Sequence, residues 1–85
     1  MPTPATVTLV TREGCHLCDA AREIITAVVA ETDAVTVVEL SIDDDPQLAA
    51  RYAEEIPVVL INDRVHNIWR VNADRLRDAL QEATK

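Results

Sequence analysis

Thr11 to Ile24 reads TREGCHLCDAAREI and holds both cysteines of the chain, Cys15 and Cys18, three positions apart. Just before the pair, TVTLVT (Thr6–Thr11) is short and β-branched, and it is bounded by Pro4 and Gly14, so it reads as a strand. Just after, Leu17, Ala20, Ala21, Ile24, Ile25, Val28 and Val29 recur at helical spacing, with Arg22, Glu23 and Thr26 between them. The pair therefore sits where a strand turns into a helix, and the helix is expected to begin at about Cys15.

That placement has chemical consequences. The first N–H groups of a helix have no partner within it. Together with the positive end of the helix dipole, they favour a thiolate at Cys15. Arg12, before the helix, favours it too, and His16 would when protonated. Glu13 and Asp19 suit the helix start but oppose a nearby thiolate. Cys18 lies one turn further along. Side chains three apart in a regular helix stand somewhat too far apart for a disulfide, but a first turn can adjust. A bridge there would close a tiny loop, adding little stability and breaking easily, which suits a redox pair better than a staple.

Working outward, AVTVVELS (Ala34–Ser41) reads as a second strand. In DDDPQLAARYAEE, Asp45 is placed to cap a short helix and Pro46 to open it. PVVLI (Pro57–Ile61) is a third strand, Asn62–Asp63 a turn without its usual glycine, and VHNIW (Val65–Trp69) the returning strand of a hairpin, with Trp69 as a packing residue. Asn72 can cap a last helix through Ala83, with Ala73, Leu76, Leu80 and Ala83 as its apolar stripe. The order is β-α-β-α-β-β-α in one α/β domain over residues 1–85. The first two strands should be parallel, joined by a right-handed crossover, and the last two antiparallel. Such a four-stranded mixed sheet takes helices on both faces, and the nearly unbroken apolar runs in its strands fit burial on both.

Composition narrows the classes of function. Apolar residues make up 48 % of the 85, enough for a core, which must be aliphatic because there is no Phe, one Trp and one Tyr. A net charge of −7 with no basic cluster argues against nucleic acid and acidic membranes as partners. The start MPTPATV has neither a basic region nor an apolar one, and no apolar run approaches membrane-spanning length, so a cytoplasmic location is expected. In that reducing compartment a lone cysteine pair is more often catalytic or metal-binding than structural. Zinc would need four ligands, and beyond the cysteines the chain offers only His16 and His66 as good ones. The acid run Asp43–Asp45 reads as a solvated turn and helix cap. No metal site is expected.

The order of elements, REGCHLC after the first strand and EIPVVLI at the third, resembles the glutaredoxins and the wider thioredoxin fold over about Val7 to Ala83. The resemblance implies that Cys15 is the nucleophile and Cys18 the resolving thiol. It implies that Arg12 is the basic residue before the nucleophile, that Pro57 is a cis-proline packed beside the pair, and that the backbone of Ile56 contacts substrate. The chain departs from glutaredoxins between the cysteines, where it has His16-Leu17. It also lacks the Gly-Gly pair after the fourth strand that grips glutathione; WRVNAD (Trp69–Asp74) has no glycine, and only Asp74 could stand in for the acid that follows. Two functions are compatible with these residues. One is a monomeric thiol–disulfide oxidoreductase acting on protein or small-molecule disulfides, without a bound cofactor. It would be recycled by a reductase or a low-molecular-weight thiol, with glutathione a weak cosubstrate. The other is a non-enzymatic binding or metal-handling module of the same fold that has kept the cysteines.

Overall fold

The computed structural model describes residues 3–85; the first two residues of the expected domain lie outside it. Its elements are strand β1 (Ala5–Thr11), helix α1 (His16–Ala30), strand β2 (Val35–Ser41), helix α2 (Pro46–Tyr52), strand β3 (Val58–Ile61), strand β4 (Arg64–Ile68) and helix α3 (Ala73–Ala83). A single 3-10 turn, Ile42–Asp44, links β2 to α2. The sheet order is β2-β1-β3-β4. β1 pairs with β2 in parallel, Val7 opposite Val37, and with β3 antiparallel, Leu9 opposite Val59. β3 and β4 form the antiparallel hairpin, with an irregularity between Val59 and Leu60 that leaves His66 without an opposite number.

Alternation along β1 and β3 divides the interior in two. Val7, Leu9 and Val59 point to one face, where Ala21, Ile25 and Val28 of α1 and Leu76 and Leu80 of α3 cover them. Val10, Val58 and Leu60 point to the other, where they meet Tyr52, Leu48, Ile56 and both cysteines. The site is thus built into the second core cluster.

Caps fix the helix starts. Asp45 accepts from the Gln47 N–H (2.9 Å) and Asn72 from the Arg75 N–H (3.0 Å), each satisfying a donor the helix cannot. Asn62 and Asp63 both have positive φ (50° and 69°), the geometry of a tight hairpin turn built without glycine. Asn62 also ties the hairpin to β1, its side chain accepting from the Thr6 N–H at 2.9 Å.

Three sequence expectations are corrected. The inward line of α1 runs through Cys18, Ala21, Ile25 and Val28, while Leu17 and Ala20 face outward, because the helix phase is set by the buried Cys18. β2 is an edge strand, and Val37, Val38 and Leu40 are exposed at 44 %, 38 % and 39 %; its apolar run is not buried on both faces, since the helices centre on β1 and β3. β4 ends at Ile68, which leaves Trp69 outside the sheet and 53 % exposed rather than packed. Among the described residues no helix is long and apolar enough to cross a membrane.

Ala34, leading into β2, has φ +64°. That left-handed geometry costs an L-residue roughly 1 kcal/mol that glycine avoids. Ala34→Gly should therefore stabilise the protein by about 1 kcal/mol, or raise the melting temperature by about 4–8 °C in a domain of this size. Thermal melts followed by circular dichroism read this directly.

Candidate active site

β1 delivers the chain to the site at Thr11, and Gly14, the one glycine in the sequence, turns it with φ +73°. Cys15 follows in extended geometry (φ −97°, ψ 111°) as the N-cap of α1. Its Sγ accepts a hydrogen bond from the Cys18 N–H at 3.1 Å, the place a Ser or Asp oxygen takes at an ordinary cap. A thiolate is a better acceptor there than a thiol, and the positive end of the helix dipole adds to the preference.

The two sulfurs are set apart. Burial pushes the Cys15 thiol up, but the Cys18 thiol and N–H and the Arg12 guanidinium together outweigh it, and the result lies below the ordinary value. Burial pushes Cys18 up as well, the neighbouring Cys15 adds to it, and the lowering by Arg12 and Arg22 does not offset them, so Cys18 rises to about 11. Access follows the same split. Cys18 is 1 % exposed; Cys15, at 7 %, lines an open cleft of about 400 Å³ together with Arg12, Glu13, Asp19 and Asp43. Both cysteines are free thiols.

The cleft is braced by ion pairs and a loop contact. Arg22 bridges Glu39 (2.7 Å) and Asp19 (2.9 Å), and this pairing holds the Glu39 carboxyl below its usual range. Asp43 accepts from the Glu13 N–H at 3.0 Å and from the Ser41 hydroxyl at 3.2 Å. The acid run is therefore a turn whose first member fastens the loop carrying Arg12 to Gly14, beside its capping role at Asp45. Sequence alone gave no signal for that fastening, because Glu13 and Asp43 are 30 positions apart.

The Ile56–Pro57 peptide is cis. Ile56 packs in the same core cluster as Cys15 and Cys18, with Val10 and Tyr52. Among the described residues neither the N–H nor the C=O of Ile56 has a hydrogen-bond partner, whereas the next carbonyl, Pro57, accepts from the Trp69 N–H at 2.8 Å. Cys15, Cys18 and Ile56 thus share one core cluster, Arg12 lines the cleft beside Cys15, and Pro57 follows Ile56 through the cis bond. His16 stands exposed on the first turn, and the Cys15 thiol is set by burial, Cys18 and Arg12 without it. His66 lies elsewhere, half-buried between the β3–β4 hairpin and Ala79 and Ala83 of α3, where burial and Arg75 lower its pKa. Among the described residues no three His, Cys, Asp or Glu side chains are grouped to hold a metal ion.

Trp69 is the residue that sequence reasoning placed worst. It has φ +67°, a conformation that a bulky aromatic side chain rarely adopts. Beside its main-chain bond to Pro57, its indole Nε1–H donates to the Glu54 carbonyl at 3.1 Å.

Comparison with known proteins agrees with this geometry. The sequence model of the glutaredoxin-like domain (DUF836) matches residues 6–81. An uncharacterized protein from Mycobacterium tuberculosis is 33 % identical over 82 residues, covering 92 % of this chain and 84 % of that protein. A glutaredoxin-like protein homolog from Dictyostelium discoideum is 34 % identical over 71 residues, covering 78 % of this chain and 66 % of that protein. Among solved structures, target protein XcR50 from X. campestris is 35 % identical with a TM-score of 0.70, covering 91 % of this chain and 97 % of that one. A mutant thioredoxin from Halobacterium salinarum, at 16 % identity and a TM-score of 0.74, covers 98 % of this chain and 77 % of its own and shows the shared fold. With a strand-to-helix Cys-x-x-Cys in one core cluster with Ile56, a cis Ile56–Pro57 bond and a family match over residues 6–81, the chain belongs to the glutaredoxin-like domain family and has the thioredoxin fold.

Proposed function

We propose that the protein is a thiol–disulfide oxidoreductase in which Cys15 attacks and Cys18 resolves. The observation that carries the reading is the placement of two thiols one helical turn apart: Cys15 at the N-cap, accepting the Cys18 N–H and lining the cleft, and Cys18 buried at 1 % exposure, an arrangement that lowers the Cys15 pKa and raises that of Cys18. In the reaction the Cys15 thiolate attacks one sulfur of the substrate disulfide. A bond forms from Cys15 to that sulfur, the substrate S–S bond breaks, and the departing thiolate takes a proton. Cys18 then loses its proton and attacks Cys15 Sγ, forming the Cys15–Cys18 disulfide and releasing the second substrate thiol. Two electrons pass to the substrate, and an external thiol or dithiol reductant returns them. The raised Cys18 pKa keeps that thiol protonated until its attack, so deprotonation of Cys18 accompanies the resolving step.

The features around α3 favour a dithiol reductant over glutathione. The stretch WRVNAD (Trp69–Asp74), where the resemblance puts a glycine pair, has no glycine, and a side chain at Val71 or Ala73 crowds the backbone approach that glycine leaves open. Asp74 is engaged by Arg77 at 2.8 Å, and the Asn72 side chain already accepts from the Arg75 N–H of the first turn. Both routes by which glutathione's γ-glutamyl end could still be held are therefore partly used. Leaving one such polar group unpaired costs about 1–3 kcal/mol. Turnover of a neutral disulfide should be at least about tenfold faster with a low-molecular-weight dithiol or a thioredoxin-reductase-like partner than with glutathione. Side-by-side kinetics with the two reductants tests this. Glutathione-driven turnover matching the dithiol would remove the preference, and no turnover with either would remove the oxidoreductase reading.

A further inference from the structure

We infer that Trp69 is a specificity residue of the thiol site, a platform for the side chain flanking the disulfide of an extended polypeptide substrate. The inference rests on the oxidoreductase reading and concerns which disulfides that site prefers.

Three observations meet at this residue. Its backbone is held in the left-handed region at φ +67°, which a bulky aromatic enters only when its surroundings compel it. Such outliers gather at functional sites, where the surrounding structure holds them. Second, the residue is fastened at both ends of the loop that carries Ile56: its N–H bonds to Pro57 O at 2.8 Å, and its indole N–H to Glu54 O at 3.1 Å. Third, this anchored ring is still 53 % exposed, although the chain has only two aromatic side chains and an aliphatic core that could have used it. An aromatic kept for packing would be buried; one kept for solubility would not be an indole.

The occupant follows from the neighbouring backbone. Ile56 lies in the same core cluster as the cysteines, and among the described residues its own N–H and C=O have no partners. An extended peptide can satisfy both groups as a short strand does, while its disulfide lies at Cys15. The residue next to that disulfide is then carried past the loop that Trp69 clasps. A ring whose one polar atom is already bonded to Glu54 offers apolar surface, so the matching side chain is apolar or aromatic. A small disulfide has no such side chain to place there.

The test uses the full-length protein, its Trp69→Gly and Trp69→Phe variants, and three neutral disulfides reduced under identical conditions. Two are peptides with an intramolecular disulfide, identical except for Phe or Ala beside the attacked cysteine; the third is 2-hydroxyethyl disulfide. The parent should favour the Phe peptide over the Ala peptide by at least about fivefold in kcat/KM, a preference of the size expected for aromatic contact. Trp69→Gly should erase that preference, and Trp69→Phe should keep most of it. Because glycine suits φ +67°, Trp69→Gly should melt no lower than the parent. Trp69 is the only tryptophan, so its emission should shift in the mixed disulfide of the Cys18→Ser variant with the Phe peptide and not with 2-hydroxyethyl disulfide. A Phe-to-Ala preference absent from the parent, or intact in Trp69→Gly, overturns the inference while leaving the oxidoreductase reading standing. So does a parallel fall of all three rates, which would mark Trp69 as a brace of the Glu54–Pro57 loop. Failure of the parent to reduce any of the three overturns both.

Discussion

Cys15→Ser is expected to abolish disulfide reduction, whereas Cys18→Ser is expected to stop the cycle halfway, with substrate held on Cys15 as a mixed disulfide. The asymmetry follows from the positions of the two sulfurs. Cys15 faces the cleft and accepts a helix N–H, so it can attack a disulfide that arrives from outside. Cys18 is 1 % exposed and can reach only what Cys15 already carries. A serine hydroxyl at position 15 keeps the cap but lacks the acidity to attack, and turnover should drop more than about a thousandfold, to background. A serine at position 18 leaves attack possible and removes resolution. Intact-mass measurement after exposure to a disulfide should show the adduct in Cys18→Ser and none in Cys15→Ser. The reverse pattern would exchange the two roles.

Much of this was legible because local chemistry and global fold agree. Short β-branched and apolar runs placed the four strands, helical spacing placed the first and last helices, and Asp45, Pro46 and Asn72 announced helix starts through hydrogen-bonding habits that depend only on near neighbours. Cys-x-x-Cys at a strand-to-helix junction placed the site. What failed depends on which element ends up beside which. The apolar run of β2 looks like that of β3, but only sheet order reveals that one is an edge and the other central. Leu17 looked like core because it is apolar; the inward position belongs to Cys18, a residue whose chemistry drew attention away from its packing. Trp69 was misplaced for a physical reason as well. Nothing in a sequence announces that a bulky residue will take positive φ, since local energetics disfavour it and only the surrounding fold imposes it.

The displaced thiols also have consequences for pH. Cys18 holds its proton to about pH 11 in the folded chain, whereas an unfolded thiol releases it near 9.0. Between those values the folded state binds more protons, so the reduced protein loses stability as pH rises through that window. Cys15 acts oppositely: its folded value lies below 9.0, so its share of the stability grows as pH rises toward 9.0 and is lost as pH falls through the folded value. For reactivity the same split is larger. At pH 7 a thiol with a pKa of about 11 is ionised to about one part in ten thousand, and one below 9.0 to more than about one part in a hundred. That thiolate advantage of about a hundredfold is offset about tenfold, because the more acidic thiolate is intrinsically the weaker nucleophile. Burial of Cys18 adds to the remainder, so Cys15 should react at least about tenfold faster.

The central claim, that Cys15 and Cys18 form an asymmetric dithiol with Cys15 as its nucleophile, is tested most directly by site-resolved alkylation of the reduced protein followed by mass spectrometry across pH 5 to 10. Cys15 should be labelled first throughout, by at least about tenfold at pH 7, with a midpoint below 9.0 that moves up when Arg12 is replaced by Ala. Equal labelling of the two cysteines, or labelling of Cys18 first, would contradict it.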